Sequence, residues 1–500
     1  MSNFRSPEAG NTVANAAACT GIMIVRGSGG VGALAVRTVN SAIFFAVVAL
    51  LRALTLLTSR NVQRFLIAVI LLDIPLLLDT HFGYRQDLAD LGSLGGFGVS
   101  VTTLALAALY AAWIIEIVVT RHGSRPGFSI SSPLAAYVLI SALSMFVAKD
   151  MLLASFEVWV LFQTLLVFVY FASRVRSRDD VIFIIRVLLI GLVVESAIIL
   201  SLQAGMRFDI PGHPLRIEEA AVGGEYTRFG GTLGSPNAAG GYISLLMALA
   251  LSVIVAPVGR WDKRMALLAF GLGLVALVFT FSRGGWTAFV LSLAVFGFAM
   301  RKRGRMKLKT LVLFAVAILA VVSVLRGEIG TRLFADDGGI AINRVYLMQI
   351  AFQMISDYPV LGVGANNFPL LMTQYLRAGD WLYVVHNKYL LIWAEVGIGG
   401  LVAFLAFLIS TIRRGWRLWQ SDDQLLSLLA LGLTAGIIGH TSHLLVDLFR
   451  GRQEVQLLWL MASLITALSW MDCRGGNRVR SRMADGRAGD YPNKQARKFS

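Results

Sequence analysis

The sequence predicts an all-α chain: a polytopic bundle of about twelve membrane-spanning helices. Three observations predict it. Of the 500 residues 56% are hydrophobic and 15% charged, with mean hydropathy +0.70, against roughly 45–50% and about 25% in soluble domains. The apolar residues are bunched into runs of about 17–24, long enough to cross a hydrocarbon core as helices. Lysine and arginine alternate between successive connections, as they do in multi-pass proteins. Lipid satisfies no backbone hydrogen bond, so the helix is the form these runs must take.

The runs fall at 64–80, 99–119, 132–148, 151–172, 181–204, 236–256, 264–281, 284–300, 309–325, 387–410, 424–446 and 453–470. A thirteenth candidate, 39–57, is interrupted by Arg52 and either spans or lies in the interface. Connections 59–64, 121–125, 174–178, 259–264, 301–309 and 413–417, with the tail from Arg474, carry 27 of the 45 basic residues. Connections of the other parity carry 13 over far more chain. The first set is therefore expected inside and the second outside. Basic loops facing anionic lipid account for the net charge of +16, so no nucleic-acid partner is expected. Cys19 and Cys473 lie near opposite ends and make neither a disulfide framework nor a metal motif.

This divides the chain into an N-terminal segment 1–63, a membrane domain 64–470 and a polar basic tail 471–500 whose composition suits disorder. The longest internal loops, about 205–235 and 326–386, fall outside. Within the second, 343–359 reads as an amphipathic helix with Val345, Met348, Phe352 and Ile355 on one face and Pro359 ending it. Such a helix suits the outer membrane surface.

Chemistry should show as polar groups where a membrane protein otherwise avoids them. In RFGGTLGSPNAAGGY (228–242), Arg228 precedes a helix starting near Pro236, with glycines that admit a close backbone approach. A Gly-rich turn with a solvated arginine would read the same. In TFSRGGW (280–286), Arg283 sits at the mouth of a tight hairpin, either as a ligand or snorkelling to lipid phosphate. In VVHNKYLLIWAEVGIGG (384–400), His386 and Asn387 open the helix that closes the long loop. Histidine titrates near neutral pH and can serve as a base or as a structural group. The topology delivers all three segments to one membrane face. Arginines there suit a diphosphate, because guanidinium binds phosphate oxygens in a bidentate fork.

His440, His443 and Asp447 are read on one helix face, as a cavity lining or a helix-packing hydrogen-bond set. A metal site there lacks an identifiable further ligand. There is no DxD motif, and the adjacent Asp336 and Asp337 read as a solvated turn. Asp73, Glu157, Glu195 and Glu395 lie within spans and should face the interior. Glu195 needs a partner there, either Arg186 or a group on another helix.

RFGGTLGSPNAAGGY, FTFSRGGW, NRVYLMQIAFQMISDYPVLGVGANNF and HNKYLLIWAEVGIGGL resemble, in order and spacing, the O-antigen ligase and O-antigen polymerase superfamily. The likeness covers about 228–410. It implies a bacterial inner-membrane glycosyltransferase with a large helical periplasmic loop. Its donor would be an undecaprenyl-diphosphate-linked glycan and its acceptor lipid A–core or another glycan, with a chain-length regulator as a further partner. Transfer would invert the anomeric centre and need no metal or cofactor. Matched residue by residue, Arg228, Arg283 and Arg344 would contact the diphosphate, and His386 would orient or deprotonate the acceptor hydroxyl. The competing class is a transporter or flippase of lipid-linked oligosaccharide, which would place ionisable residues mid-bilayer on discontinuous helices.

Overall fold

The computed structural model describes residues 57–119, 128–206, 217–219, 227–304, 323–327, 329–330, 340–376 and 382–484. Residues 1–56, and with them most of the 39–57 candidate, lie outside the described residues. The rest is a helical bundle. Its elements run α1 Arg60–Leu76, β1 Asp79–Phe82, α2 Gln86–Ala89, β2 Phe97–Ser100, α3 Val101–Val119, α4 Ser132–Leu143, α5 Met151–Arg174 and α6 Arg178–Gln203. There follow β3 Ile217–Glu219, β4 Thr227–Phe229, α7 Pro236–Val255, α8 Arg260–Phe279, α9 Arg283–Lys302 and α10 Ile340–Asp357. The series closes with α11 Phe368–Met372, α12 Lys388–Trp419, α13 Gln424–His443 and α14 Arg452–Ala484. Two short antiparallel hairpins, β1–β2 and β3–β4, are the described sheets.

Among the described residues eight helices are long and apolar enough to cross a membrane: α3, α5, α6, α7, α9, α12, α13 and Arg452–Arg474 of α14. The expected spans at 64–80, 132–148 and 264–281 are helical too, but they are short or carry charge. Helix α1 has 17 residues, and α4 gives way to a 3-10 turn at Ser144–Val147. Arg260, Asp262, Lys263 and Arg264 crowd the first turn of α8. Residues 309–322 of the 309–325 run lie outside the described residues. The tail departs from expectation, because α14 continues to Ala484.

Helices α7 and α13 are the most enclosed. Lipid supplies no hydrophobic drive between helices, so close backbone approach has to hold them. Accordingly Gly432 and Gly436 face Ser252, Ala248 and Leu245 of α7, while Gly439 faces Ala288 and Ser292 of α9. At the end that carries the basic connections, Arg178 pairs with Asp423, and Arg303 donates to the Trp419 carbonyl at 2.6 Å.

The opposite end is built more elaborately. Leu347, Ile350, Ala351 and Met354 of α10 share a small apolar core with Phe368, Met372, Val384, Val385 and Leu391. A second apolar face of α10 thus lies against the chain, beside the one read from the sequence. Ile355 is buried, but Val345 and Phe352 are 50% and 55% exposed. Helix α10 thus turns its inward face to neighbouring chain and only the other to its surroundings. Inside α12, Gly397 has φ 77° and ψ −178°, and a Cβ there would lie 2.0 Å from the Val360 carbonyl oxygen. Only glycine tolerates that break.

Candidate active site

Asp73, Glu157, Glu195 and Glu395 are all buried, as expected. Glu195 does not pair with Arg186, which makes a two-toothed ion pair with Asp262 at 2.6 and 3.1 Å. Its partner is instead the Gly-rich turn after Arg228. Thr232 donates its amide to Glu195 Oε1 at 3.0 Å and its hydroxyl to Oε2 at 2.5 Å. Gly231, at φ 58°, brings the backbone so close that a Cβ would meet Glu195 Oε1 at 2.0 Å. A carboxylate inside the bundle thereby fixes the turn.

That turn positions Arg228 and the start of α7. Arg228 stands on β4 opposite Glu218 in register. It donates to the Thr280 carbonyl at 3.2 Å and to Asn237 Oδ1 at 3.0 Å, tying β4 to α7 and to the α8–α9 turn. Ser235 caps α7 through the Asn237 amide, and Ser282 caps α9 through the Gly285 amide at 3.2 Å. A Cβ on Gly240 would lie 2.8 Å from Ser282, so the two N-termini pack against each other. Two helix N-termini side by side concentrate partial positive charge at this end of the bundle. Arg283 opens α9 there and is exposed.

The segment after α13 gathers the remaining candidates. His440 and His443 lie on the last turn of α13 with ring centroids 6.2 Å apart, and both pack on Phe449. Asp447 is not on that helix, which ends at His443. It is buried in the following turn, where its carbonyl accepts from the Lys388 amide at 3.1 Å. Among the described residues Nδ1 of His440 and of His443 has no hydrogen-bond partner. His440 also lines two small internal cavities beside Glu454. Among the described residues no three His, Cys, Asp or Glu side chains are grouped to hold a metal ion. Asp336 and Asp337 lie outside the described residues.

His386 is buried just before α12, held by the Val384 amide on the Leu91 carbonyl at 3.1 Å and by Tyr383, whose ring lies 5.2 Å away. Burial pushes its pKa below the ordinary imidazole value; Asp447 opposes the shift and Arg344 adds to it. Arg344, on α10, donates to the Val446 carbonyl at 3.3 Å. Asn387 serves as the N-cap of α12, its Oδ1 accepting from the Tyr389 and Leu390 amides at 3.0 Å.

The structure thus brings Arg228, Arg283, Arg344, His386, His443 and Asp447 to one end of the bundle, from five stretches of chain. Sequence reasoning missed what braces them. Arg450 is buried between Glu157 and Glu395, with Nε 3.5 Å from Glu157. It also donates to Asn366 Oδ1 at 3.0 Å. Lys388 Nζ lies 3.9 Å from the other Glu157 oxygen. Asn366 and Asn367 then bind the backbone of the neighbouring loops, Leu94 and Asp150 among them. The signal available in sequence was the pair of glutamates in apolar runs, each of which needed a buried cation.

Such a constellation can hold an anion against arginines at helix N-termini and place an imidazole beside it. Residues 266–405 match a family model described as O-antigen ligase. No curated protein matches the chain.

Proposed function

We propose, from the match of residues 266–405 to a family model described as O-antigen ligase, that this chain is a member of the O-antigen ligase and polymerase superfamily and a glycosyltransferase of bacterial inner membranes. At the periplasmic face it would transfer or polymerise an undecaprenyl-diphosphate-linked glycan. The observation that carries this reading is the convergence of Arg228, Arg283 and Arg344 with His386 at the end opposite the basic connections.

In this reading His386 accepts the acceptor hydroxyl's proton as its oxygen bonds to the anomeric carbon. The carbon–oxygen bond to the diphosphate breaks, and the bonding pair leaves with the diphosphate. The arginines hold that growing charge in bidentate forks. Attack from the face opposite the leaving group inverts the centre. Charge held by guanidinium does not call for a metal ion. The acceptor is lipid A–core for a ligase, or a second lipid-linked glycan for a polymerase working with a chain-length regulator.

One observation favours transport of the lipid-linked glycan instead: α12 is broken at Gly397, beside the buried Glu395. Glu395 is, however, already engaged by Arg450 and by the Phe368 amide at 3.1 Å. Arg283→Lys tests the diphosphate contact. It keeps the charge but not the fork, and is expected to lower glycan product roughly tenfold to a hundredfold, the cost of a charged contact of about 1.5–3 kcal/mol. Full product at normal membrane abundance would argue against diphosphate binding by Arg283.

A further inference from the structure

At the other end of the bundle, where the basic connections lie, a cavity of about 230 Å³ opens between the first turn of α1, the last turn of α5 and the start of α6. One water needs only about 10–15 Å³. Arg60, Arg64, Arg174 and Asp180 line it. Among the described residues three guanidinium groups here answer to two carboxylates. Asp180 Oδ1 takes both Arg60, at 3.0 Å, and Arg64, at 3.3 Å, and Glu116 takes Arg174. Asp180 Oδ2 is already engaged by the Ser177 hydroxyl at 2.5 Å. Each guanidinium carries five N–H donors, and the Arg64 Nε is buried without a hydrogen-bond partner. Among the described residues both charge and donors therefore remain in excess.

The wall is amphiphilic. Ile67, Phe183 and Ile184 line its apolar side, and the Arg64 guanidinium lies 5.4 Å from the centre of the Phe183 ring. The cavity also stands at the ends of α5 and α6, two helices long and apolar enough to cross the membrane, which is the depth at which headgroups lie. On the same helix as two of its arginines, Phe65 is 67% exposed.

We infer that this cavity binds the phosphate of an anionic phospholipid headgroup, through Arg60, Arg64 and Arg174 above an apolar wall. Basic pockets between membrane helices at the side of the positive loops have the chemistry to hold such headgroups. This site is separate from the one proposed for glycosyl transfer.

The test uses the delipidated full-length chain in detergent, followed by native mass spectrometry. Phosphatidylglycerol, phosphatidylcholine of the same acyl chains, and inorganic phosphate alone are added in separate arms. Phosphatidylglycerol is expected to be retained over phosphatidylcholine. Arg60→Gln, at a side chain 62% exposed and so outside the core, is expected to weaken that retention roughly tenfold with the melting temperature unchanged. Arg64→Gln is expected to act the same way, and Arg413→Gln, on α12 and not part of the cavity lining, to leave retention intact. Equal retention of both lipids would overturn the proposal, as would an equal loss in Arg413→Gln. Binding of inorganic phosphate with no lipid retained would assign the cavity to a free anion and overturn the lipid as occupant.

Discussion

His443 occupies the space that a side chain on Gly284 would need: a Cβ there would lie 2.3 Å from the imidazole Cδ2 and 2.5 Å from Nε2. Gly284 follows Arg283 directly, so this contact sets where α9 presents its arginine. Gly284→Ala is expected to displace the ring, to cost about 1–3 kcal/mol as overpacking does, and to lower transfer. Adding His443→Ala removes the obstacle, so the double variant should melt with His443→Ala alone. Wild-type stability and rate in Gly284→Ala would show that the contact does not hold.

The Glu195–Thr232 pair makes a second expectation. Glu195→Ala strands the buried Thr232 amide, at about 1–3 kcal/mol, while the Thr232 hydroxyl keeps the Pro75 carbonyl at 2.7 Å. Glu195→Gln keeps one acceptor oxygen and should lose less. Thermal melting of the purified protein measures the order wild type, Gln, Ala. An Ala variant as stable as wild type would mean that the turn holds itself.

Arg450 stands between two buried glutamates. Removing one partner of a buried pair leaves an uncompensated charge, at about 3–5 kcal/mol, so Arg450→Met should collapse membrane abundance. Neutralising Glu157 and Glu395 to glutamine in the same chain should restore much of it. If the triple variant is no more abundant than Arg450→Met, packing rather than charge is what Arg450 supplies.

The pH profile tests His386. A base must be neutral, and burial together with Arg344 holds its pKa below the usual range, about 6.5. Transfer should therefore persist at neutral pH and fall only as pH drops through that lowered value. Arg344→Gln removes a charge that disfavours imidazolium, so the acid limb should move to higher pH. Asp447→Asn removes one that favours it, so the limb should move lower. Measured rates with no shift in either variant would place the titration elsewhere.

The helices were legible because apolar run length and basic alternation are properties of local sequence. Their partners were not. Arg186 and Glu195 sit nine positions apart on one helix, yet they answer to Asp262 and Thr232, which only the packing of α6 on α8 and on the turn before α7 decides. The inward face of α10 escaped the sequence for a related reason: periodicity finds an apolar stripe, but that Leu347 turns inward depends on what α12 offers. The arginines and His386 announced themselves by standing at the ends of apolar runs. Asn366, Asn367 and Arg450 look like ordinary loop polarity until the fold buries them.

The central claim is that the bond between glycan and diphosphate is broken at this site. The most direct measurement is release of undecaprenyl diphosphate from a synthetic lipid-linked glycan, with acceptor supplied, by the purified chain in proteoliposomes. Release matching glycan transfer, abolished in His386→Ala and reduced roughly tenfold to a hundredfold in Arg283→Lys, is the expected result. Glycan that moves across the bilayer but stays linked to its lipid would contradict it.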